Sequence, residues 1–151
     1  MMLGNEGERL TRVVVCSPGD EYFHAGDPRR HNIVERADPD RAIQQHDALK
    51  SCLVNFGAEV INVPELADHP NSVFTRDTAL CTPEGYVRLR MGLETRQGEE
   101  EWMGRILTSL GEPLVGTLCR LPGHWPAGGH HQDCEDQQCG ADTSVLHDLP
   151  P

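Results

Sequence analysis

Hydrophobic positions alternate with polar ones in short runs as far as about residue 117. The β-branched run TRVVVCSP predicts a strand that Pro18 ends, and EVINVP predicts a second strand. YVRLRMG and PLVGTLC predict two more. Between the strands lie two segments with helical spacing, so the pattern predicts a mixed fold of strands and helices.

The two predicted helices carry start and stop signals. PDRAIQQHDALKSCLVNFG has Asp38 as N-cap, Pro39 after it and Gly57 as the stop. GEEEWMGRILTSLG begins with glutamates and stops at Gly111. Their apolar stripes consist of Ala42, Leu49, Leu53 and Phe56 in the first helix and Trp102, Ile106 and Leu110 in the second.

A weak repeat links these segments, since LVNFGAEVINV and LTSLGEPLVGT both read as a helix end, a glycine and a strand. The glycines Gly57 and Gly111 lie 54 residues apart. Such a period indicates an array of ββαβ modules. The alternative is that a helix, a glycine and a strand form a common αβ connection, which occurs in any α/β protein.

The segment HPNSVFTRDTALCTPEGYV places a charged pair inside an alternating run. A strand from Val73 to Leu80 would put Asp77 on one face with small side chains, where its carboxylate can accept two hydrogen bonds from a guanidinium. A structural ion pair is the alternative that spacing alone favours. The candidate partners for that pair are Arg88, Arg90 and Arg96.

Composition narrows the classes of partner. The chain has 151 residues and a formal net charge of −11, which argues against nucleic acid or an anionic membrane surface and suits a cationic small molecule. The N-terminus has no signal-peptide pattern and no apolar run has membrane-spanning length, so we expect a cytoplasmic protein. The six cysteines are expected to be reduced thiols, and Cys81 in particular a core thiol.

The character of the chain changes at residue 118. Residues 118–151 lack apolar periodicity and predict an irregular tail. Their ligand-type side chains are Cys119, His124, His130, His131, Cys134, Cys139 and His147. A zinc site is one interpretation, but the spacing of Cys134 and Cys139 does not match a finger or a ribbon, and a solvated tail is the other.

Several motifs together resemble one enzyme family. HPNSVFTRDTAL, TPEG, RLRMGLETRQGEE, QHDAL and FGAEV look like dimethylarginine dimethylaminohydrolase and its relatives, the arginine deiminases and amidinotransferases of the pentein superfamily. The match runs from about residue 6 to 117. It implies an α+β fold in which residues 1–117 form about two of the five ββαβ modules of a propeller. It also implies hydrolysis of methylated arginine to citrulline and an amine by a cysteine nucleophile, with no metal or other cofactor.

The resemblance also assigns binding residues. Asp77 matches the carboxylate that holds the substrate guanidinium, and Arg96 matches the arginine that pairs with the α-carboxylate of an arginine-like small molecule. Phe74 lies in the segment that lines the pocket. Asn71 and Arg76 stand where many relatives have acids, which leaves the substrate preference open.

The family's catalytic groups have no counterpart in the chain. Its glutamate, histidine and cysteine lie further on than the matched segment, and none of the six cysteines matches the nucleophile, so no catalytic residue is assigned. In a shifted reading frame, codons for GHHQDCEDQQCG allow a strand like the family's, which suggests a frameshifted or alternatively spliced tail. We therefore expect a truncated, catalytically incompetent chain.

Three functional hypotheses follow from the sequence. The chain is a truncated relative of these hydrolases, a non-catalytic binding or regulatory fragment, or a small zinc-binding protein. For the first two, unpaired propeller edges predict self-association.

Overall fold

The computed structural model describes residues 9–118, and its strands and helices alternate along the chain. The strands in this range are β1 (Arg12–Cys16), β2 (Glu59–Val63), β3 (Ala79–Thr82), β4 (Gly85–Arg88) and β5 (Leu114–Thr117). The α-helices are α1 (Asp20–Phe23), α2 (Pro39–Asn55) and α3 (Glu99–Ser109). The mixed architecture and the order of the main elements are as the sequence predicts.

Two small sheets share one pattern of connection. β1 pairs with β2 in parallel, and α2 lies between them in the chain. β4 pairs with β5 in parallel across α3, and β3 joins β4 as an antiparallel neighbour. β3, β4, α3 and β5 thus form a ββαβ unit, and β1, α2 and β2 repeat its last three elements.

The helix boundaries follow from local chemistry. The Asp38 side chain accepts a hydrogen bond of 2.7 Å from the backbone N–H of Arg41, with Pro39 in the first turn of α2. Gly57 and Gly111 follow the two long helices with φ of 87° and 86°, a conformation that glycine adopts without a Cβ clash.

The main core lies between α3 and the sheets. Its buried members are Cys16, Val63, Tyr86, Trp102, Met103 and Leu107. The Tyr86 hydroxyl donates a hydrogen bond of 2.9 Å to the carbonyl of Gly104, and it therefore fixes β4 against α3. By contrast, no residue of α2 is buried, and Leu49 and Phe56 of its predicted stripe are 51% and 73% exposed.

The predicted strand from Val73 to Leu80 is wrong. Pro70–Val73 and Thr75–Asp77 form two 3-10 turns, and the strand begins only at Ala79. The backbone N–H groups of Phe74, Asp77 and Thr78 donate to carbonyls three residues earlier. Side chains also satisfy local groups, since the Thr78 hydroxyl donates to the Thr75 carbonyl at 2.6 Å. The segment satisfies its polar groups by local turns instead of a sheet ladder.

The prediction that Cys81 is a core thiol is also wrong, because Cys81 is exposed, whereas Cys16 is the buried one among the cysteines of residues 9–118. Within residues 9–118, no helix has the length and apolar character needed to cross a membrane. The zinc hypothesis and the reading-frame hypothesis concern residues of the tail, which lie outside the described range.

Candidate functional site

An open cleft of about 650 Å³ lies beside the two 3-10 turns at residues 70–77. Four of the five predicted site residues line it, namely Asn71, Phe74, Asp77 and Arg96. Arg76, the fifth, is exposed and is not part of the lining. The rest of the lining consists of Tyr22, His31, Asn32, Ile33, Val34, Glu35, Met91, Gly92 and Leu93.

Hydrogen bonds between loops shape the cleft wall. The buried side chain of Asn71 donates from Nδ2 to the carbonyl of His31 at 2.8 Å. The Thr95 hydroxyl donates to the carbonyl of Arg30 at 3.2 Å. These two contacts hold the segment around residue 31 against the loops that carry Asp77 and Arg96. Asn71 therefore has a structural role in the wall.

Two aromatic rings form an apolar side of the cleft. The rings of Tyr22 and Phe74 lie edge to face, with centroids 6.3 Å apart. The guanidinium carbon of Arg96 lies 5.9 Å from the centroid of Phe74. Because an aromatic face attracts cations, the Phe74 ring stabilises the guanidinium of Arg96 at this wall.

Asp77 and Arg96 form an ion pair at the cleft. Arg96 Nη1 donates to Asp77 Oδ2 at 2.7 Å. The Asp77 side chain is 52% exposed, whereas that of Arg96 is 14% exposed. Of the arginines that the sequence offered as structural partners, Arg96 is the one that pairs with Asp77.

A buried carboxylate lies on the other side of Arg96. Glu99 Oε2 accepts from Arg96 Nε at 2.9 Å and lies 2.8 Å from Nη2. Glu99 is fully buried, and burial raises its pKa although the charge of Arg96 acts in the opposite direction. For Arg96, burial lowers the pKa, but the hydrogen bonds and charges of Glu99 and Asp77 outweigh it, so that the net pKa is raised. The guanidinium stays charged.

His69 joins the segments that flank this pair. Its Nδ1 lies 2.8 Å from the carbonyl oxygen of Ala67, and its Nε2 lies 3.0 Å from that of Gln97. A carbonyl oxygen only accepts, so the imidazolium, which donates from both nitrogens, fits this geometry best. Partial burial lowers the pKa of His69, but these hydrogen bonds and the charges of Glu99 and Asp68 raise it overall.

No cysteine among residues 9–118 lines the cleft. Cys16 is buried in the core, and its burial, together with the charge of Glu65, raises its pKa to about 11. A thiol with this pKa is protonated at neutral pH and is a poor nucleophile. Cys52 and Cys81 are exposed elsewhere on the surface. Over the same range, no three histidine, cysteine or acidic side chains are grouped as a metal site.

Comparison with known proteins finds relatives of the enzyme family that the sequence motifs resemble. No family model matches the chain. Over 61 residues it is 34% identical to N(G),N(G)-dimethylarginine dimethylaminohydrolase of Pseudomonas aeruginosa, a segment that covers 40% of this chain and 24% of that enzyme. The solved structure of the same type of enzyme from Pseudomonas aeruginosa, a mutant complexed with citrulline, has a TM-score of 0.60 at 21% identity. That match covers 77% of this chain and 44% of the other.

The described fold is similar to part of the fold of dimethylarginine dimethylaminohydrolase. The resemblance that the sequence motifs indicated is thereby confirmed, as is the pentein type of fold. The N-terminal domain of ArgZ, an arginine dihydrolase from cyanobacteria solved with bound product, is also similar, with a TM-score of 0.57 and 25% identity. The match covers 71% of this chain and 39% of the ArgZ domain. The chain spans less than half the length of each of these relatives.

The sequence pattern missed two residues of the site. Glu99 was counted among the glutamates of the first turn of α3, where a carboxylate usually meets solvent and the helix dipole. His69 had no assigned role. Glu99 lies three residues after Arg96, but extended Gln97 and left-handed Gly98 separate the two, so the helical i,i+3 rule does not predict their contact.

Proposed function

We propose that the cleft binds the guanidinium group of an arginine-like small molecule, with Asp77 as the acceptor. The observation that carries this proposal is the half-exposed carboxylate of Asp77 at the cleft. Of its two oxygens, Oδ2 accepts a hydrogen bond from Arg96. Within the described range no donor contacts Asp77 Oδ1, so a ligand guanidinium can approach that oxygen. Phe74 supplies an aromatic wall beside it.

The comparisons support an arginine-like ligand. One similar structure contains citrulline, and another is that of an arginine dihydrolase with its product. Both ligands belong to those proteins, and the chain covers less than half of each. Because the fold is similar and Asp77 lies at the cleft, we propose the same class of ligand for the present chain.

We further propose that the 151-residue chain binds such a ligand without hydrolysing it. Dimethylarginine hydrolysis of the family type needs a thiolate next to the amidino carbon. The cysteines in the described part of the chain lie away from the cleft, and those of the tail do not match the family's nucleophile in sequence. The first and second sequence hypotheses thus converge on a non-catalytic, guanidinium-binding protein, and a cytoplasmic location stays a prediction from sequence.

The test is binding and turnover by the full chain. Isothermal titration calorimetry with L-arginine and asymmetric dimethylarginine should give a dissociation constant on the order of millimolar or tighter. A citrulline assay on the same sample should remain at the level of a buffer blank. Absence of binding by every guanidine would contradict the proposed site, and citrulline formation above the blank would contradict the non-catalytic role.

We also propose that the two sheets represent parts of two modules of a five-module propeller, and that their open sides favour self-association. β1 and β2 form a two-stranded sheet, and α2 exposes apolar side chains next to it. Strand edges and apolar helix faces of this kind favour contact with a further chain. A second copy of this chain is the partner that this proposal names.

A further inference from the structure

We infer that His69, as an imidazolium, positions the two loops that carry Asp77 and Arg96, so that the affinity of the cleft for its ligand falls when this ring loses its proton. The inference rests on the proposed guanidinium site and adds a positioning residue to it. His69 lies outside the cleft lining and therefore acts through the loops that it joins.

On one side, His69 fixes the beginning of the segment that ends at Asp77. It directly precedes the 3-10 turn Pro70–Val73, and its backbone carbonyl accepts a hydrogen bond of 2.9 Å from the N–H of Ser72. The next turn, Thr75–Asp77, ends at the binding carboxylate. Backbone hydrogen bonds between residues three apart run through both turns, so a shift of His69 is passed along the segment.

On the other side, the ring contacts the loop of Arg96. Nε2 of His69 lies 3.0 Å from the carbonyl oxygen of Gln97, the residue that directly follows Arg96 and ends its 3-10 turn. One imidazole thus joins the loops of both members of the ion pair. This contact does not involve the side chains of Asp77 and Arg96, and it persists when a ligand competes for them.

Both contacts of the ring need a donor. Nδ1 lies 2.8 Å from the carbonyl oxygen of Ala67, and this oxygen, like that of Gln97, can only accept. An imidazolium has an N–H at each nitrogen and satisfies both oxygens. A neutral ring has one N–H, so its other nitrogen turns a lone pair toward a carbonyl oxygen. Loss of the proton therefore makes one of the two contacts repulsive.

The charged groups around the ring are mostly carboxylates. They are Asp68 and Glu21 on its own segment and on α1, and Glu99, Glu100 and Arg96 on α3 and just before it. Burial lowers the pKa of His69, but the two carbonyl contacts and the charges of Glu99 and Asp68 outweigh it, so that the net pKa is raised. The ring therefore changes its charge above the ordinary histidine pKa.

The direction of the pH effect distinguishes positioning from simple repulsion. Loops that are already fixed lose less conformational entropy when a ligand binds, so positioning predicts tighter binding to the protonated form. A cationic ligand that only senses the charge of His69 would instead bind the neutral form more tightly. The two mechanisms thus predict opposite signs.

The pH dependence of binding to the unmodified full-length chain is the primary test. Titration calorimetry with L-arginine from pH 6 to 8.5 should show the affinity falling by roughly fivefold. Because coupling is reciprocal, saturating arginine should raise the pKa of His69, measured by NMR of its ring protons. Constant or rising affinity would overturn the inference, whereas absence of binding at every pH would overturn the proposed function on which it rests.

Two variants separate the contacts of the ring. The amide nitrogen of His69→Gln lies close to the position of Nε2, and that of His69→Asn close to the position of Nδ1. We expect His69→Gln to bind arginine equally at pH 6 and 8.5, and His69→Asn to bind roughly fivefold more weakly than the unmodified chain at pH 6. Any titration of the ligand itself affects all these proteins alike.

His24→Gln, at an exposed histidine, is the matched control and should keep the pH profile of the unmodified chain. The same profile in His69→Gln, or undiminished binding by His69→Asn at pH 6, would contradict the positioning role. If circular dichroism finds a His69 variant unfolded, the pH profile and the direction in which arginine moves the pKa of His69 in the unmodified chain decide the question.

Discussion

Glu99 accepts hydrogen bonds from Arg96 at Oε2, while its Oε1 has no partner among residues 9–118. The carboxylate is fully buried, so one of its oxygens has lost water without a compensating donor. Burying half of an ionised group in this way costs free energy unless it is protonated or paired. The site therefore has a buried charge pair, Arg96–Glu99, behind the half-exposed pair of Asp77 and Arg96, and the two pairs should respond differently to substitution.

The exposed pair should matter for binding more than for stability. Asp77→Asn removes the negative charge that attracts a guanidinium, and we expect at least a tenfold weaker affinity for arginine. Because the Asp77 side chain is about half exposed, the unfolding free energy should change by less than about 1 kcal/mol. Calorimetric binding and urea melts measure the two effects. Glu101→Gln, on the exposed side of α3, should leave both unchanged, and unaltered binding by Asp77→Asn would argue for a purely structural ion pair.

The buried carboxylate should make stability depend on pH. The pKa of Glu99 is raised in the folded chain, first of all by burial. As the pH rises above the ordinary glutamate value, the unfolded chain loses this proton before the folded chain does, so stability falls until the folded pKa is passed. Glu99→Gln cannot titrate and should flatten this part of the curve. Thermal melts of both proteins from pH 4 to 8 measure the difference, and parallel curves would contradict the assignment.

His69 should produce a second pH dependence at higher pH. Its pKa is raised in the folded chain by carbonyl hydrogen bonds and by the charges of Glu99 and Asp68, against the opposing effect of burial. Its contribution to stability is complete below the ordinary histidine pKa and is lost as the pH rises through the folded value. His69→Gln should remove this loss, which melting temperatures at closely spaced pH values would detect. His24→Gln, at an exposed histidine, is the control, and an unchanged profile for His69→Gln would disprove the double-donor geometry.

Cysteine labelling should distinguish the core thiol from the exposed ones. The burial that raises the pKa of Cys16 to about 11 should protect it from iodoacetamide at pH 7.5, whereas exposed Cys52 should react. Peptide mass spectrometry after a short labelling pulse measures both in one sample, and labelling in urea provides the positive control. Fast modification of native Cys16 would show that the core described above opens readily.

Self-association should depend on the exposed face of α2. Leu49→Lys places a charge in the middle of this face, and we expect a lower apparent mass in size exclusion with light scattering if two copies meet there. Gln45→Lys adds the same charge on the same helix without removing apolar surface. An equal effect of both substitutions would indicate a charge effect, and no concentration dependence of the native mass would contradict self-association.

The sequence predicted those parts of the fold that depend on near neighbours. Asp38, Pro39 and Gly57 delimit α2 because caps and stops act within one turn, and Asp77 was found through a motif. Residues 70–77 were misread because their alternating apolar and polar side chains resemble a strand, while Thr78 and neighbouring backbone groups satisfy each other in turns. The pairing of Asp77 with Arg96, and the burial of Glu99 behind it, depend on how separate loops pack, which no local pattern contains.

The pairing of the strands also predicts an order of folding. β3 and β4 close through a tight turn, with Thr82 opposite Gly85, whereas β1 and β2 bring Arg12 opposite Glu59 across the whole of α2. Closing the short loop costs less chain entropy than closing the long one. We expect the hairpin to be protected from hydrogen exchange within the first folding phase and the amides of β1 to be protected last. The cleft lies beside the turn Thr75–Asp77, and the Thr75 hydroxyl donates to the carbonyl of Val14 in β1. The cleft would then be completed only in that final phase.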